Sequence, residues 1–273
     1  MKVVTWNMGY WGHAKAHDAA WHWLLDELSP DIAMLQECRP PDWVSESGRR
    51  VLFDPAYPGT PTQPWGTALV TKGPATSPTR LDDAEAWLAS LDHAAVAEPC
   101  HAARLRGWCV AANVTLPLGL PLLVVSIHSP AFPIAPALLR GRDLTAITLT
   151  LSQDVWLLDV VFHFLRRRLP SPLLVGGDFN YSRLLDKPTP RGNAEFFDRI
   201  AAEGFTNLHR LFHVGDEQTY FNPRHRDHQL DYLYADPLTA LRTRACDVIP
   251  RDRVAAFSDH APLIAELRND GSA

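Results

Sequence analysis

The sequence has few cysteines, and their spacing excludes two kinds of protein. Among 273 residues there are four, Cys38, Cys100, Cys109 and Cys246. None of them forms a CxxC pair or a zinc-finger spacing, so neither a disulfide framework nor a structural zinc site is indicated. We expect reduced thiols and a cytoplasmic protein.

A long hydrophobic run is also missing. The most apolar helical stretch, Val155 to Leu165, is too short to span a bilayer and contains Asp159 and His163. The N-terminal segment MKVVTWNMGYWGH has no apolar stretch long enough for a signal peptide. The sequence therefore predicts a protein without a membrane segment.

Excess positive charge is absent as well. The formal net charge is -5 at pH 7, and the pI is about 6.2. These values argue against a protein that binds nucleic acid through its overall charge. A polyanionic substrate would have to be held locally, by a metal ion or by a few arginines.

The composition is sufficient for one large buried core. Hydrophobic residues make up 46% of the chain, and no internal repeat or low-complexity tract is visible. We expect a single domain over residues 1–273, with a monomer as the default state.

Apolar patterning predicts alternating strands and helices. Strands are predicted in KVVT, DIAMLQE, GTALVTK, CVAANVTL, PLLVVSIHS, PLLVGGDFN, HQLDYLYAD and HAPLIAELR. Helices are predicted in HAKAHDAAWHWLLDELSP, DAEAWLASL, NAEFFDRIAAEG and most of ALLRGRDLTAITLTLSQDVWLLDVVFHFLRRRL. The stretch from Arg39 to Gly66, rich in Pro, Gly and Arg, is predicted as a long surface loop. This order is typical of a layered α/β fold.

Polar residues stand at the ends of six predicted strand regions. They are Asn7, Glu37, His128, Asp178 with Asn180, Asp231, and Asp259 with His260. Any single one of them is more often a turn, cap or hydrogen-bonded core residue. Because strand ends are where sites assemble in α/β sheets, six such coincidences favour a shared site.

The chemical types of these residues indicate a reaction class. Several carboxylates and carboxamides without cysteine suit a hard cation such as Mg²⁺ or Mn²⁺ better than zinc. The two histidines add groups that titrate near neutral pH. A divalent ion beside an imidazole is suited to cleaving a phosphate ester, because the ion neutralises the phosphate and lowers the pKa of a water.

Taken in order, these motifs resemble the endonuclease/exonuclease/phosphatase superfamily of metal-dependent phosphoesterases, which includes deoxyribonuclease I and exonuclease III. The matching segments are TWN, LQE, SIHS, GGDFN, QLDYLY and FSDHAPL, which cover nearly the whole chain. The resemblance implies an α/β fold, a four-layer α/β/β/α sandwich. Two mixed β-sheets would pack face to face with helices outside and the active site at one end between the sheets.

The resemblance also implies a metal site. Glu37, with Asn7 nearby, resembles the main metal ligand, and Asp259 resembles a further ligand on the opposite side of the same centre. Mg²⁺ is the implied cofactor, with Mn²⁺ as a possible substitute.

The resemblance also implies catalytic roles for the remaining motif residues. Asp178 resembles the group that orients or deprotonates the attacking water, and Asn180 a donor to the phosphate. His260 resembles the catalytic imidazole, polarised by Asp231. His128 is expected to donate to a non-bridging or leaving oxygen. Either Asp178 or His260 could be the general base.

Differences from the sequence patterns of individual subfamilies reduce the number of activities that the sequence fits. Apurinic endonucleases carry a Tyr where this chain has His128, and an acid where it has Gly9, so both positions count against that activity. The closest local resemblance is to deoxyribonuclease I, through IHS at His128 and Arg39 after LQEC. The acid expected to orient His128 is absent, and Trp65 stands directly before the GTALVTK strand instead.

Loop arginines after the predicted strands offer candidate substrate contacts. They are Arg39, Arg49, Arg50, Arg183, Arg191, Arg224 and Arg226. Each one taken singly is more often a solvated loop charge, but together they could line a phosphate track. Arg39 and Arg183 are the predicted substrate-binding residues.

Three functions stay open at this stage. The first is a Mg²⁺-dependent phosphodiesterase with DNA or RNA as substrate. The second is a phosphoesterase for a small molecule such as a nucleotide, sugar phosphate or lipid head group, which aromatic loop residues and the acidic balance would suit. The third is an inactive family member that serves as a binding module, and the complete set of polar motifs argues against it.

Overall fold

The structure is a computed structural model that describes residues 1–55, 65–75, 107–115, 121–131, 133–134, 136–140, 147–150, 155–169, 171–221 and 228–268. The predicted helix DAEAWLASL and the arginines at positions 224 and 226 lie outside these ranges.

Within the described residues, the first sheet has six strands. They are β1 (Lys2–Asn7), β2 (Ile32–Cys38), β3 (Arg50–Pro55), β4 (Gly66–Thr71), β10 (Thr243–Val248) and β11 (Leu263–Leu267), in the spatial order β10-β11-β1-β2-β4-β3. Only the β1–β2 pair is parallel, and the other pairs are antiparallel. This sheet is therefore mixed.

The second sheet has five strands in the described part of the chain. They are β5 (Cys109–Thr115), β6 (Pro121–His128), β7 (Leu173–Asp178), β8 (Thr206–Asn207) and β9 (Asp231–Ala235), in the spatial order β5-β6-β7-β9-β8. Here the β6–β7 pair is parallel and its neighbours are antiparallel. Each sheet thus contains one parallel pair.

The described helices are short. They are α1 (Tyr10–His13), α2 (His17–His22) with a π-helical continuation (Trp23–Leu28), α3 (Asp42–Glu46), α4 (Pro136–Leu139), α5 (Trp156–Leu165), α6 (Asn193–Ala202) and α7 (Pro237–Leu241). Within the described residues, every helix falls short of the length and apolarity that crossing a membrane requires.

The strands of the second sheet are buried on both faces, as their near-continuous apolar runs predict. In β9, Leu233 and Ala235 belong to the core between the sheets, whereas Tyr232 and Tyr234 pack in a second core with α5 and α6. Because side chains alternate along a strand, one face meets the other sheet and the opposite face meets the helices. The predicted four-layer α/β/β/α arrangement is confirmed.

The two sheets approach each other closely at Gly176 in β7. A Cβ atom there would lie 2.6 Å from Leu233 Cδ2 and 2.8 Å from Met34 Cε, which belongs to the other sheet. The neighbouring Gly177 has φ 151°, and a Cβ on it would collide with the Ile127 carbonyl. Gly176 therefore permits close packing between the sheets, and Gly177 permits the close approach of the Ile127 backbone.

Parts of the secondary-structure prediction were wrong. The stretch from Arg39 to Gly66 is not simply a loop: it contains α3 and edge strand β3, while residues 56–64 lie outside the described chain. The segment 147–150 within the predicted long helical region is irregular. Strand β10 was not predicted. β3 (RVLFDP) and β10 (TRACDV) are only six residues long and do not alternate regularly between polar and apolar residues, so the local signal for a strand is weak without the neighbouring strand.

Candidate active site

The strand directions bring the predicted residues to one edge of the sandwich. Asn7 and Glu37 lie at the carboxyl ends of β1 and β2, and His128 and Asp178 at those of β6 and β7. Strands β9 and β11 run antiparallel to these neighbours, so their amino ends, with Asp231 and the residues before Leu263, lie at the same edge. A cavity of about 440 Å³ opens there.

Glu37 projects from an irregular point of β2. The pairing with β4 shifts between Leu35 and Cys38, which is a β-bulge, and Glu37 has a left-handed φ of 44°. A non-glycine residue in this region is strained, and bulges of this kind redirect side chains at functional sites. The carboxylate lines the cavity and remains 24% exposed, while burial raises its pKa above the usual range against the opposing charge of His260.

Asn7 connects two of the carboxylates. Its Nδ2 donates to Asp178 Oδ2 at 2.9 Å and to Glu37 Oε1 at 3.4 Å, while its Oδ1 accepts from the Gly9 backbone N–H at 2.9 Å. The amide nitrogen cannot bind a cation. In this arrangement Asn7 positions the carboxylates, and its expected part as a metal ligand stays a prediction.

Asp178 and Asn180 form a tight polar turn after β7. The Asn180 backbone N–H donates to Asp178 Oδ1 at 2.8 Å, and Asn180 has a left-handed φ of 55°, which Asn tolerates. Asn180 Nδ2 donates to the Ser129 carbonyl at 2.8 Å and, at 3.3 Å, to Asp178 Oδ2. To donate to a phosphate, Asn180 would have to release the longer of these contacts.

His260 and Asp231 form a buried pair. His260 Nδ1 lies 2.9 Å from Asp231 Oδ2, and its Nε2 lies 3.9 Å from Asp178 Oδ2. Burial alone lowers the pKa of His260, but the charges of Asp231, Asp178 and Asp259 outweigh it and raise the pKa to about 10. Burial raises the pKa of Asp178 to about 6, with His260 opposing the shift. The imidazole is therefore cationic at neutral pH beside an ionised Asp178.

His128 has different surroundings. Its Nε2 lies 3.5 Å from Glu37 Oε1 and 3.8 Å from Asp178 Oδ2, while the Trp108 and Trp65 rings lie 5.0 and 6.0 Å from its ring centroid. Burial lowers its pKa to about 4, although Asp178 acts in the opposite direction. His128 is neutral at pH 7, and an indole occupies the place where an orienting acid was expected.

The carboxylates fit a hard divalent cation. Glu37 and Asp259 both line the cavity, and neither pairs with an Lys or Arg of the described chain. Gly9, with φ 55°, allows the approach of Asp259, because a Cβ there would lie 3.3 Å from Asp259 Oδ1. The buried Asp231 Oδ1 also has no hydrogen-bond partner in the described residues. Oxygen donors with this excess of negative charge suit Mg²⁺ or Mn²⁺.

Asp178, Asp231 and His260 offer ligand atoms within 4.8 Å of one another and could also be grouped as a metal site. The 2.9 Å contact between His260 and Asp231 instead has the geometry of a hydrogen bond. An imidazole that donates through Nδ1 and carries a proton on Nε2 has no lone pair for a metal. We interpret this trio as a proton-handling group.

The arginines predicted as substrate contacts lie in different places in the structure. Arg39 is exposed two residues after Glu37, and only its backbone makes a described contact, to His17. Arg183 does not line the cavity: its guanidinium lies 2.7 Å from Asp198 and over the Phe197 ring, beside a different depression. Of the other arginines, Arg191 does line the cavity. The predicted substrate contact of Arg183 is therefore not supported by its position.

Several cavity residues were not singled out from the sequence. They are Ala131, Pro133, Tyr181, Leu185, Asn193, Tyr220, His228 and Leu230. Tyr220 lies 4.8 Å from the His260 ring, and its segment forms a β-bridge to His260. Proximity to GGDFN was a usable signal for Tyr181 and Leu185, whereas the folding back of Tyr220 has no local sequence signal.

Comparisons with known proteins agree with this geometry. The profile of the Endonuclease/Exonuclease/phosphatase family matches residues 4–260. None of the curated proteins compared with the sequence matches it. Similar solved structures include a 3′ phosphatase from Neisseria bound to a product DNA hairpin (17% identity, TM-score 0.68) and an AP endonuclease from Archaeoglobus fulgidus (17%, 0.66), with 98% of this chain and 99% of each of those chains covered.

An AP endonuclease from Leishmania major is similar as well, at 15% identity and a TM-score of 0.62, with 98% of this chain and 87% of that chain covered. At such identities the structural likeness shows the fold. The profile match spans all six motifs, from Asn7 to His260. The chain therefore belongs to the endonuclease/exonuclease/phosphatase family.

Proposed function

We propose that this protein hydrolyses phosphodiester bonds of nucleic acid with the help of a divalent metal ion, Mg²⁺ or Mn²⁺. The observation that carries the proposal is the buried Asp231–His260 pair, whose free nitrogen faces Asp178 beside Glu37 in an open cavity. Metal-assisted hydrolysis of a phosphate ester uses a cationic imidazole, an ionised carboxylate and carboxylate oxygens that are free to bind the metal ion.

Glu37 and Asp259 would hold the metal, since both are oxygen donors that line the cavity without a Lys or Arg partner in the described chain. A bound divalent cation supplies positive charge that neutralises the phosphate and lowers the pKa of a water. Asn7 keeps Glu37 and Asp178 at fixed positions through its amide N–H groups. These assignments leave Asp178 and His260 free for proton transfer and charge stabilisation.

Asp178 is the better candidate for the general base. Its pKa of about 6 leaves it ionised at neutral pH, whereas His260, with a pKa near 10, already carries its proton. A general base must be deprotonated and have a pKa near the working pH. His260 Nε2 would then donate to the phosphate, and Asp231 would hold the orientation of the imidazolium and stabilise its charge.

His128 and Asn180 complete the site as neutral donors. His128 Nε2 lies near both Glu37 and Asp178, so an N–H there points towards the reacting groups. Asn180 adds its amide at the turn after β7. Neither group changes charge at neutral pH in this proposal, and both act by hydrogen bonding to phosphate oxygens.

A small-molecule phosphoesterase is the second candidate. The cavity of about 440 Å³ has the size of a ligand pocket, and Tyr181 and Tyr220 supply aromatic walls. Two departures from the apurinic endonuclease pattern, His128 and Gly9, argue against abasic DNA as the particular substrate. They do not separate the two candidates.

The deciding experiment is a substrate panel with the purified full chain and Mg²⁺, Mn²⁺ or EDTA. We expect metal-dependent cleavage of plasmid DNA or RNA that is lost in Asp178→Ala and His260→Ala. His213→Ala is the matched histidine control, because His213 lies outside the cavity and contacts Asp247. Activity only on bis-p-nitrophenyl phosphate or small phosphomonoesters would support the second candidate. No metal-dependent hydrolysis and no Mg²⁺ binding by calorimetry would indicate a binding module.

A further inference from the structure

One wall of the cavity is a turn that a single carboxylate holds in shape. Asp186 accepts the backbone N–H groups of Arg191, Asn193 and Ala194, at 2.8, 3.2 and 2.7 Å, and the side-chain N–H of Asn193 at 3.0 Å. Desolvation opposes these donors, but together they keep the pKa of Asp186 below its usual value. The carboxylate thus caps the start of α6 and sets the backbone of this turn.

Asn193 has an unsatisfied oxygen in this wall. The residue is 1% exposed and lines the cavity, and its Oδ1 has no hydrogen-bond partner among the described residues. Because the acceptor Asp186 can pair only with the amide nitrogen, the carboxamide cannot be turned round to satisfy the oxygen. A buried acceptor without a partner is uncommon in native proteins and calls for an explanation.

The chemistry of this oxygen indicates which part of a substrate it meets. A phosphodiester oxygen is an acceptor and would repel the Asn193 carbonyl, so the phosphate is not its partner. The organic part of a nucleotide does carry donors, namely sugar hydroxyls and the amino groups of bases. The adjacent apolar and aromatic wall, formed by Pro133, Tyr181 and Leu185, suits the same organic part.

The Arg191 guanidinium lies on the same turn and is exposed at the cavity. It forms no ion pair with a described residue, in contrast to Arg183, which is bound by Asp198. An unpaired guanidinium beside a phosphate-cleaving centre is suited to a neighbouring phosphate of the same chain. The turn therefore presents an acceptor and a cation side by side.

We propose that the Arg191–Asn193 turn is a nucleoside subsite: Asn193 Oδ1 accepts a hydrogen bond from a sugar hydroxyl or base amino group next to the scissile phosphate, and Arg191 binds a flanking phosphate. This inference rests on the proposed nuclease function and deepens it. It gives the protein a preference for substrates with a donor at that place.

The test combines changes on the protein with changes on the substrate. The substrates are homo-oligonucleotides of riboadenosine, of deoxyadenosine and of deoxyribosyl purine, which lacks the amino group, together with bis-p-nitrophenyl phosphate, which has no N–H or O–H donor. We expect Asn193→Ala to lower kcat/KM about tenfold on the oligonucleotide that carries the recognised donor, and less than about twofold on bis-p-nitrophenyl phosphate.

The two candidate donors, the sugar hydroxyl and the base amino group, predict different substrate preferences. Recognition of the sugar hydroxyl makes the wild-type protein prefer the ribo-oligonucleotide over the deoxy form, and Asn193→Ala removes that preference. Recognition of the base amino group makes it prefer deoxyadenosine over deoxyribosyl purine, again only while Asn193 is present. Such coupling between two deletions is the signature of a direct contact, which a general structural effect does not produce.

The Arg191→Ala variant is an independent test, because Arg191 is exposed and its removal does not disturb a buried residue. We expect it to raise KM for the oligonucleotides about tenfold and to leave KM for bis-p-nitrophenyl phosphate unchanged. Arg253→Ala is the matched control and is expected to change neither, because Arg253 lies outside the cavity and pairs with Glu27. This arm remains decisive if Asn193→Ala folds poorly, as judged by its melting temperature.

The outcomes separate this inference from the function on which it rests. Equal losses on all substrates, unchanged preferences in Asn193→Ala, or equal effects of Arg191→Ala and Arg253→Ala would overturn the subsite. A wild-type protein that hydrolyses bis-p-nitrophenyl phosphate but no oligonucleotide would overturn the nuclease function itself.

Discussion

Two buried histidines lie near the same oxygen of Asp178, and their surroundings give them opposite charge states. His260 is paired with Asp231 and faces further carboxylates, so its pKa rises to about 10 although burial opposes the change. His128 packs against two indole rings, and burial there lowers its pKa to about 4. Each Nε2 is within 4 Å of the same Asp178 oxygen.

The difference shows that being a histidine does not by itself determine a residue's catalytic role. Where the charges of Asp231, Asp178 and Asp259 outweigh burial, as at His260, the imidazole is a cation at neutral pH that stabilises negative charge. His128 also lies near Glu37 and Asp178, but burial beside Trp65 and Trp108 outweighs the charge of Asp178, so its imidazole is a neutral hydrogen-bonding group. The following experiments test whether the two histidine regions differ in this way.

The largest expected effect is that of His260→Ala. Removal of the cation beside Asp178 should lower kcat on the substrate identified in the panel about 10²- to 10⁴-fold, since a proton-handling group contributes this much. Steady-state kinetics at saturating metal measure the loss, with His213→Ala as control. A loss below about threefold would contradict the proposed part of His260.

Next in size is Asp231→Asn, which keeps the shape of the pair and removes its charge. The pKa of His260 should fall from about 10 towards its ordinary value of 6.5, and kcat should drop about 10²-fold. An NMR titration of the imidazole signals in EDTA measures the pKa. His128 serves as internal reference, because its signal should not titrate above pH 5 in either protein.

Stability should depend on pH through His260. A folded-state pKa raised from 6.5 to about 10 contributes stability that is fully present below pH 6.5 and is lost as the pH rises through about 10. Without metal, the free energy of unfolding should fall between these values by up to about 1.4 kcal/mol per pH unit. Urea denaturation of wild type and His260→Gln measures the slope, and an identical slope in both proteins would refute the assignment.

The smallest effect is expected in the other histidine region. His128→Ala should lower kcat/KM about tenfold, the worth of a hydrogen bond to a charged group, and Trp65→Phe less than about threefold. Measured activities should retain their pH dependence between pH 6 and 8 in both variants, because His128 is neutral throughout that range. Loss of a pH-dependent limb in His128→Ala would show that His128 titrates during turnover.

Much of the fold and site could be predicted from local patterns. Strand β7 was recognisable from the run that leads to Gly176 and Gly177, and in the structure Asp178 at its end lies next to Asn7 and His260. The edge strands β3 and β10 were missed because their patterns are short and gain stability from pairing with β4 and β11. Arg183 pairs with Asp198 on α6, fifteen positions further along, a contact that no local pattern indicates, and this position does not support the predicted substrate contact.

By itself, the sequence determined which residue types end the strands, and with them the family and the oxygen-rich chemistry of the site. Alternation along a strand and the order of the motifs are local properties, so they can be identified without coordinates. Only the tertiary structure decided the charge states of His128 and His260 and the choice of Arg191 over Arg183 at the cavity. These depend on burial and on charges brought in by distant segments, which act through space and not along the chain.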